Sequence, residues 1–471
     1  MRVLLVLPKS SHRFKHLGDI PPLGIAYVSS ALRRDGHETA IWDETTREGR
    51  VVPDFSRFDL VGISCDTIRY ESGLRVARMV KARGVPVVMG GSHATFLDRE
   101  ALETGLVDYV VRNEGEDVAR ELCAALDGGG DLAKVKGITY RHEGEIVRTP
   151  DAPFPQELDL LAWPDRETLG MDNYRRNMMG QRPFTTMLGS RGCPYSCEFC
   201  SSPRLSGKTR YRDPVDIVDE MEDLVKRWKF GTVVFTDDIF TVNPKRVSAI
   251  CDEILARRLD VKWWCCSRVD TVMRQQELFR KMAEAGCYTV FLGIDGGTDA
   301  VLEEFNKGYT ADVAFDSIHY LQKLGIEVNA AFILGGIQET REQMLKTIAY
   351  AKALRPETVQ FTINTPLPGA ELWEKVQDRI EDRDWSRYDL FHAVMRLDAV
   401  KDRREVQRLL LRAYVSFYLL SPHGLRNVAK FVKERIAGPE RSRSYDEPIS
   451  ASLAARQRKL AAATAPSVAV A

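Results

Sequence analysis

Apolar segments of strand length alternate along this chain with longer segments whose apolar residues recur at helical spacing, and the alternation runs through two successive blocks. Parallel strands joined by helices form a sheet that is covered on both faces. The first block predicts strands at residues 2–8, 59–65, 85–89 and 108–111. The helices predicted between them are residues 23–34, 73–83 and 116–126. We therefore expect an α/β fold that begins with a doubly wound, Rossmann-like parallel sheet, whose ligands bind beyond the carboxyl ends of the strands.

The second block predicts a partial barrel. Its six strand candidates are residues 185–189, 232–236, 262–266, 289–294, 328–334 and 358–363. Amphipathic helices such as 215–228 and 311–324 separate them, which indicates a (βα)6 version of the TIM-type barrel, with the chemistry at the carboxyl ends of the strands. A predicted hairpin and linker join the two blocks, and the pattern becomes helical after residue 385.

The composition argues against several classes of protein. The 471 residues include 67 basic and 67 acidic side chains, so the formal net charge is zero, which argues against a nucleic-acid partner. We find neither a secretory signal nor an apolar run long enough for a transmembrane segment, and we expect a cytoplasmic protein. Nine cysteines are too few for a disulfide scaffold in a chain of this length, so their positions are more informative than their number.

Three of the cysteines form a compact motif directly after a predicted strand. Residues 191–200 read RGCPYSCEFC and place Cys193, Cys197 and Cys200 at the spacing C-x3-C-x2-C. Thiolates this close on one loop can converge on an iron–sulfur cubane, and three ligands leave one iron open for chemistry. A zinc ribbon would need a second pair, and the adjacent residues Cys265 and Cys266 point to opposite faces of their predicted strand.

This motif, with the aromatic Phe199 before its third cysteine, resembles the signature of the radical S-adenosylmethionine (SAM) enzymes. The resemblance implies that Cys193, Cys197 and Cys200 hold a [4Fe–4S] cluster whose open iron chelates SAM. It further implies that reductive cleavage of SAM yields a 5′-deoxyadenosyl radical, with electrons from an external donor of the flavodoxin or ferredoxin type. The similarity covers residues 180 to about 375.

Further family landmarks fall at the predicted strand ends. The residues that the resemblance assigns to SAM binding are Phe199, Thr236, Asp237, Asp238, Ser267, Arg268, Asp295 and Pro366. Each has a simpler alternative, since residues 236–238 could cap a helix and Arg268 could form a structural ion pair. The segment 293–297 (GIDGG) departs from the usual G-[IV]-E-S-G. The segment 335–340 (GGIQET) departs from G-x-P-G-E-T, and its Glu339 and Thr340 are expected to begin a helix.

The sheet domain in front of the barrel resembles that of the cobalamin-dependent branch of these enzymes. The similarity is carried by residues 21–27 (PPLGIAY), 35–38 (DGHE), 61–64 (VGIS), 90–93 (GGSH) and 114–116 (EGE). It implies a corrin ring above the strand ends, facing the barrel, with the nucleotide tail in the sheet domain. The implied cobalamin contacts are Pro22, Leu23, Gly24, Ser64, Cys65, Asp66, Gly90, Gly91, Ser92, His93, Glu114 and Gly115.

The D-x-H-x-x-G motif that supplies an axial histidine in methionine-synthase-type domains is absent, since His12, His16 and His37 lack its Asp and Gly neighbours. No histidine is therefore expected on cobalt. The resemblance divides the chain into a cobalamin-binding domain at 1–134, a hairpin and linker at 135–178, a radical SAM partial barrel at 179–384, a helical region at 385–455 and a disordered tail at 456–471.

The function implied is methylation of an unactivated carbon in a small-molecule or lipid-like biosynthetic intermediate. Three alternatives stay open at this point: a cyclase or rearrangement enzyme that uses both cofactors, an enzyme whose sheet domain binds no cobalamin, and a non-enzymatic iron–sulfur protein. Aromatic side chains of the C-terminal region either line a substrate cavity or pack as core; they are Trp385, Tyr388, Phe391, Tyr414, Phe417 and Tyr418, with His392 among them.

Overall fold

A computed structural model describes residues 1–10, 20–174, 176–177, 182–437 and 440–464. The first sheet has seven strands: β1 (Arg2–Leu7), β2 (Glu38–Asp43), β3 (Leu60–Ser64), β4 (Val87–Gly90), β5 (Tyr109–Val111), β6 (Ile138–His142) and β7 (Glu145–Arg148). Their order is β2-β1-β3-β4-β5-β6-β7, with β1–β5 parallel and β6 and β7 antiparallel. The predicted doubly wound sheet is confirmed, and the hairpin expected between the two blocks extends this sheet.

Helices cover both faces of the first sheet. They are α1 (Leu23–Arg34), α2 (Tyr70–Lys81), α3 (Ser92–Phe96), α4 (Asp98–Glu103) and α5 (Gly115–Gly128). Successive strand residues point to opposite faces, so β1 sends Val3 and Leu5 into the apolar cluster that includes α1 and α5 residues. Leu4 and Val6 enter the cluster on the α2 side.

The sequence analysis missed strand β2. Its six residues (ETAIWD) begin with a charged and a hydroxyl residue and contain no strict alternation, so the local pattern predicts no strand. The segment nevertheless pairs in register along the whole of β1, from Arg2 opposite Glu38 to Leu7 opposite Asp43. Pairing with an existing strand edge thus decides a conformation that the local sequence leaves open.

The strands of the second half are β8 (Arg176–Asn177), β9 (Pro183–Met187), β10 (Ser190–Arg191), β11 (Arg210–Tyr211), β12 (Thr232–Phe235), β13 (Lys262–Ser267), β14 (Cys287–Asp295), β15 (Glu327–Leu334) and β16 (Thr358–Ile363). Strands β10 and β11 form a separate ribbon. The other strands form the second sheet, in the order β16-β15-β14-β13-β12-β9-β8, and all of them are parallel except the two-residue strand β8. The six parallel strands confirm the predicted partial barrel.

The intervening helices are α6 (Arg166–Leu169), α7 (Ser202–Ser206), α8 (Pro214–Lys226), α9 (Pro244–Ala256), α10 (Val269–Arg274), α11 (Gln276–Glu284), α12 (Asp299–Glu304), α13 (Val313–Lys323), α14 (Arg341–Leu354) and α15 (Glu371–Lys375). Their starts follow from local sequence. Asp213 accepts hydrogen bonds from the first backbone amides of α8, with Pro214 at the first helical position. Thr340 and Gln343 form a capping box at the start of α14, where the sequence predicted that a helix begins.

The C-terminal region contains α16 (Arg404–Tyr414), a π-helical turn (Val415–Leu419), α17 (Pro422–Ala437) and α18 (Ala451–Thr464). The hydroxyls of Tyr414 and Tyr418 hydrogen-bond to the backbone of Phe361 and Val359, so they satisfy the free edge of β16 in place of another strand. The expected tail from residue 456 is instead helical as far as Thr464, and residues 465–471 lie outside the described part.

The aromatic side chains considered for a substrate cavity pack as core or against it. Trp385 and Tyr388 join the apolar core of the first sheet, and Trp385 donates a hydrogen bond to Glu100 at 2.8 Å. Phe417 is buried in the barrel core, with Phe391, Tyr414 and Tyr418 packed against that core. None of the helices in the described ranges is long and apolar enough to cross a bilayer.

Candidate functional site at the domain junction

A cavity of about 400 Å3 lies where the carboxyl ends of the first sheet face the barrel. Its sheet-domain wall includes eight of the predicted cobalamin residues: Leu23, Gly24, Ser64, Gly90, Gly91, Ser92, Glu114 and Gly115. The barrel contributes, among others, Arg191, Gly192, Thr236 and Asp238. Residues predicted to bind cobalamin and two residues predicted to bind SAM, Thr236 and Asp238, therefore border the same cavity.

The cavity continues as an apolar slot between the first sheet and helices α1 and α5. Leu5, Leu60, Leu32 and Cys123 line this part. A Cβ atom added at Gly24 would meet no atom within 4 Å, so this glycine leaves space open at the start of α1. Gly91 has φ +94°, and a Cβ there would approach the carbonyl oxygen of Cys65 to 2.5 Å, so only glycine fits this turn.

Four other predicted cobalamin residues do not line the cavity. Pro22 precedes α1 as its N-cap, and Cys65 is buried beneath Gly73 of α2. Asp66 caps the turn Thr67–Arg69 and forms an ion pair with Arg69. His93 points into the core on the α2 side, where its ring lies 4.1 Å from that of Tyr70, and burial lowers its pKa to about 3. These four residues therefore lie outside the cavity wall, and their part in binding cobalamin stays a prediction.

Glu114 borders the cavity, but its carboxylate is already engaged by the barrel. Arg191 and Arg210 donate hydrogen bonds to its Oε2 atom at 2.9 and 3.0 Å, and Arg191 also donates to Glu116 at 2.6 Å. The Arg191 guanidinium lies 5.1 Å from the ring centroid of Tyr27. Burial acts to lower the pKa of Arg191, but Glu116 and Glu114 outweigh it and raise the pKa above its ordinary value. Glu114 therefore joins the two domains.

The cysteine motif occupies the loop between β10 and α7, so it lies at the carboxyl end of the first barrel strand. Cys193, Cys197 and Cys200 are all partly exposed free thiols. Burial raises the pKa of Cys193 to about 11 and also raises that of Cys200, so these thiols release protons when they bind metal. Within the described residues, no group of three or more His, Cys, Asp and Glu side chains is already drawn together as a metal site.

Aromatic and cationic contacts hold the cysteine loop against the barrel mouth. Phe199 packs edge-on against Phe305, with ring centroids 5.5 Å apart. The Arg268 guanidinium lies 3.9 Å from the ring centroid of Tyr195, and it donates a hydrogen bond to the carbonyl oxygen of Lys307 at 2.5 Å. Arg268 therefore connects the cysteine loop to the segment after β14, which is a positioning role.

Asp295 forms a buried ion pair with Lys307, so both are occupied within the protein. Burial tends to lower the pKa of Lys307, but Asp295 outweighs it and keeps the pKa above its ordinary value. The sequence analysis missed Lys307 and Tyr195 as partners of the site, although both lie within the family-like segments. Nothing local to the sequence indicates that Lys307 would pair with Asp295 or that the Tyr195 ring would contact Arg268.

The three residues after β12 differ in their surroundings. Asp237 is 1% exposed, accepts hydrogen bonds from the Gly189 amide at 2.7 Å and from the Ser190 hydroxyl, and lies 3.5 Å from Arg246. Its carboxylate fixes the backbone that leads to the cysteine loop, so its assignment to SAM stays a prediction and its observed partners are all in the protein. Thr236 and Asp238 line the cavity, and Asp238 accepts a hydrogen bond from Ser202 at 2.8 Å.

Two further predicted SAM residues also have protein partners or are buried. Ser267 is hydrogen-bonded to Thr241 at 2.7 Å, and Pro366 is buried in the loop after β16. In that loop, a Cβ at Gly369 would approach the Phe96 ring to 2.3 Å, so the loop packs directly on the first domain. Ser267 and Pro366 thus shape the barrel mouth without facing the cavity.

The inner face of the partial barrel is open. Along β13 the outward residues Trp263 and Cys265 are fully buried, whereas the inward residues Trp264 and Cys266 are partly exposed. The same alternation recurs on β15 and β16. Trp264 Nε1 and Asn329 Oδ1 are buried polar atoms without a hydrogen-bond partner. Complete TIM barrels fill this interior with side chains, so the open interior leaves room for a ligand.

The residues present fit an iron–sulfur cluster and a corrinoid. Three thiols on one loop are the donor set that iron–sulfur clusters use. Apolar side chains and glycines line most of the slot and can pack against the face of a ring, and Ser64 and Ser92 offer polar contacts. A doubly wound sheet and an open barrel that share one cavity beside a three-cysteine loop define a radical SAM enzyme with a B12-binding domain.

Comparison with known proteins agrees with this class. The chain matches the Radical SAM superfamily over residues 187–351 and the B12 binding domain over residues 14–123. It is 34% identical to an uncharacterized methyltransferase of Pyrococcus horikoshii over 433 residues, which cover 89% of this chain and 93% of that protein. It is 31% identical to the anaerobic magnesium-protoporphyrin IX monomethyl ester cyclase of Rubrivivax gelatinosus, over 89% of this chain and 78% of the cyclase.

Among solved structures, the radical SAM methyltransferase TsrM of Kitasatospora setae, determined with cobalamin and a [4Fe–4S] cluster bound, superposes with a TM-score of 0.72. The superposition covers 93% of this chain and 99% of TsrM at 19% sequence identity, so it shows a common fold. The chain belongs to the cobalamin-dependent radical SAM enzymes, whose cofactors are a [4Fe–4S] cluster, SAM and cobalamin.

Proposed function

We propose that this chain is a C-methyltransferase that methylates an unactivated carbon of a small-molecule or lipid-like biosynthetic intermediate. The observation that carries the proposal is the single cavity bordered by the glycine-rich strand ends of the sheet domain and by the barrel residues Gly192 and Asp238. The Pyrococcus horikoshii relative, which matches over nearly its whole length, is named as a methyltransferase. When bound, the three cofactors supply hydrogen-atom abstraction and methyl transfer.

In this proposal the cysteine loop holds the cluster through Cys193, Cys197 and Cys200. Arg268 holds the loop through the ring of Tyr195, and its hydrogen bond to the Lys307 carbonyl connects it to the segment that the Asp295 ion pair fixes. Burial raises the pKa of Asp238, so this carboxylate gains free energy from a cationic partner such as the SAM ammonium. Thr236 beside it offers a hydroxyl to the same cavity.

The sheet domain would hold cobalamin mainly by shape. Leu23, Gly24, Gly115 and the segment 90–92 border the mouth of the slot, and aliphatic side chains line its depth. Buried apolar walls exclude water from a reactive centre, which protects radical intermediates. The expectation that no histidine binds cobalt remains a prediction. His93 faces the opposite side of the sheet, and His12 and His16 lie outside the described residues.

The substrate would enter the open interior of the barrel. Trp264 and Phe291 form an aromatic pair there, with ring centroids 6.5 Å apart. The Trp264 indole and the Asn329 amide offer a donor and an acceptor that the protein itself leaves unpaired. These groups favour a substrate with a flat apolar part and at least one polar group.

We also propose that a flavodoxin- or ferredoxin-type protein supplies the electrons, since radical SAM enzymes need an external reductant. The cytoplasm, where thiols stay reduced, suits the cysteine loop.

The decisive experiment follows the methyl group. Reconstituted protein is incubated anaerobically with methyl-labelled SAM, a reductant and a small-molecule extract of a strain that lacks the gene. We expect label in one organic product together with 5′-deoxyadenosine, and neither with the Cys197→Ala variant. Formation of 5′-deoxyadenosine without labelled product would reject methyl transfer.

The second candidate function is a cyclisation without net methyl transfer, which the 31% identity to the magnesium-protoporphyrin cyclase favours. The same incubation with magnesium-protoporphyrin IX monomethyl ester as substrate tests it. A product of lower hydrogen content without label would support cyclisation.

A further inference from the structure

The helical hairpin formed by α16, the π turn and α17 (residues 404–437) exposes an unusual number of apolar side chains. They are Leu411, Leu419, Leu420, Leu425, Val428, Phe431, Val432 and Ile436. These are eight of the fourteen large apolar side chains that are exposed in the described part of the chain, and Leu420 and Ile436 are 71% and 81% exposed. Scattered exposed apolar residues need no explanation, but a cluster of this size marks an interaction surface.

Helix α17 packs against the protein through its polar face and exposes its apolar face, which is the reverse of a normal surface helix. It contacts the barrel through polar side chains: His423 lies 2.7 Å from the carbonyl oxygen of Pro356, Asn427 donates to that of Glu357 at 2.8 Å, and Lys430 pairs with Glu327. The apolar residues 425, 428, 432 and 436 recur at intervals of three and four and so follow a single stripe of the helix. This stripe is solvent-exposed rather than used to attach the helix to the protein.

The same segment is strongly basic, although the whole chain is neutral. Residues 404–437 contain seven Arg and Lys residues and two Glu residues, a net charge of +5, whereas the net charge of the full chain is zero. Arg412, Arg426 and Lys433 lie among the exposed apolar residues and are themselves exposed. The surface that combines apolar side chains with positive charge therefore requires an apolar and negatively charged partner.

We propose that the α16–α17 hairpin docks this protein on the surface of a bilayer that contains anionic lipids. Apolar side chains that enter the headgroup region, flanked by Arg and Lys, are the features of helices that lie on membranes. A second copy of the chain would bring Arg412, Arg426 and Lys433 against the same exposed residues of its partner, which opposes a symmetric dimer through this face.

The place of the hairpin in the fold is compatible with catalysis at a membrane. Helix α17 contacts Glu327, Pro356 and Glu357, which lie at or just before the amino ends of β15 and β16. The cysteine loop and the shared cavity lie at the opposite, carboxyl ends of the barrel strands. Docking through the hairpin therefore leaves the cavity mouth uncovered, and the inference does not depend on which reaction the cavity carries out.

Vesicle co-sedimentation of the full-length holoenzyme tests the proposal. We expect binding to vesicles of phosphatidylcholine mixed with phosphatidylglycerol, weaker binding to phosphatidylcholine alone, and loss of binding as salt is raised. The double substitution Leu425→Asp and Val432→Asp is expected to weaken binding at least tenfold, since it places charge where apolar contact is required. Lys433→Glu is expected to weaken it by about fivefold or more, because each basic residue contributes to attraction by the anionic surface.

The matched control carries Val51→Asp and Leu160→Asp, two exposed apolar residues outside the hairpin. It should bind vesicles like the wild type, and all variants should keep the iron–sulfur absorbance, which shows that they are folded. The proposal is overturned if the wild type binds neither vesicle, or if the hairpin variant binds as well as the control. If the wild type binds no vesicle and is a dimer that the hairpin variant converts to a monomer, the exposed apolar surface is instead an interface between copies of the chain.

Discussion

On its sheet-domain side the shared cavity is bordered largely by glycine and aliphatic residues. On its barrel side most of the lining residues are polar or charged. Gly24 leaves space that no atom fills, while Arg191 and Asp238 are both hydrogen-bonded. The sheet domain can thus select a ligand by shape, and the barrel by chemical groups held in fixed positions. Substitutions on the two walls should therefore fail in different ways.

The largest effect is expected at the cysteine loop. Cys197→Ala removes one of three thiolates proposed to hold the cluster, so anaerobically reconstituted protein should lose its iron–sulfur absorbance and all cleavage of SAM. Cys251→Ala, which removes a buried thiol in the barrel core, should keep both. A cluster that persists in the Cys197 variant would contradict the ligand assignment.

The next effect concerns the junction of the two walls. Glu114→Gln leaves the guanidinium groups of Arg191 and Arg210 without their shared carboxylate, and removing one partner of a buried ion pair costs about 3–5 kcal/mol. Urea unfolding should show this loss in the free energy of unfolding. Glu277→Gln breaks an exposed pair with Arg280 and should change stability by no more than about 0.5 kcal/mol. Similar losses for both variants would refute the junction role.

A cavity-filling substitution tests the sheet-domain wall. Gly24→Leu places a side chain in the open slot, so we expect cobalamin affinity to fall about a hundredfold, or about 2.7 kcal/mol. The free energy of unfolding should stay equal or rise by up to about 1 kcal/mol, because leucine favours a helix over glycine. Gly128→Leu makes the same change at an exposed helix end, where a Cβ also meets no atom, and should leave cobalamin titrations unchanged.

The smallest expected effect is a pH dependence of stability caused by a buried carboxyl group of the barrel, that of Glu339. Burial raises the pKa of Glu339 to about 7, although the Gly335 and Gly336 amides donate to it. Because the folded state holds this proton more tightly than the unfolded chain, stability falls as pH rises from the ordinary carboxyl pKa to about 7 and then stays low. Glu339→Gln should therefore match the wild type near pH 4.5 and exceed it by about 1–3 kcal/mol at pH 8.

Thermal unfolding at both pH values measures this difference. The substitution Glu342→Gln, at an exposed position in the first turn of α14 three residues after Glu339, serves as the control. A Glu339 variant with the same pH profile as the wild type would show that this carboxyl does not titrate in the folded protein within this range.

Much of the fold follows from local pattern. The six barrel strands were predicted from their apolar runs, and the cysteine loop was placed at a strand end because it directly follows one of these runs. The shared cavity could be anticipated in outline, since glycine and polar residues follow β4, β5 and β12. Strand β2 could not, because its short mixed sequence becomes a strand only when it pairs with β1.

What the sequence by itself determined is the order of elements, the cysteine loop and the two families of strand-end residues, because these depend on spacing along the chain. Only the tertiary structure decided which strand-end side chains remain available. Glu114, Asp237 and Asp295 look alike in sequence as carboxylates at or just after strand ends, yet each is engaged by a partner outside its own element. Asp238, in contrast, lines the cavity. Burial and pairing between elements depend on how the chain packs, and the spacing of residues along the sequence does not specify them.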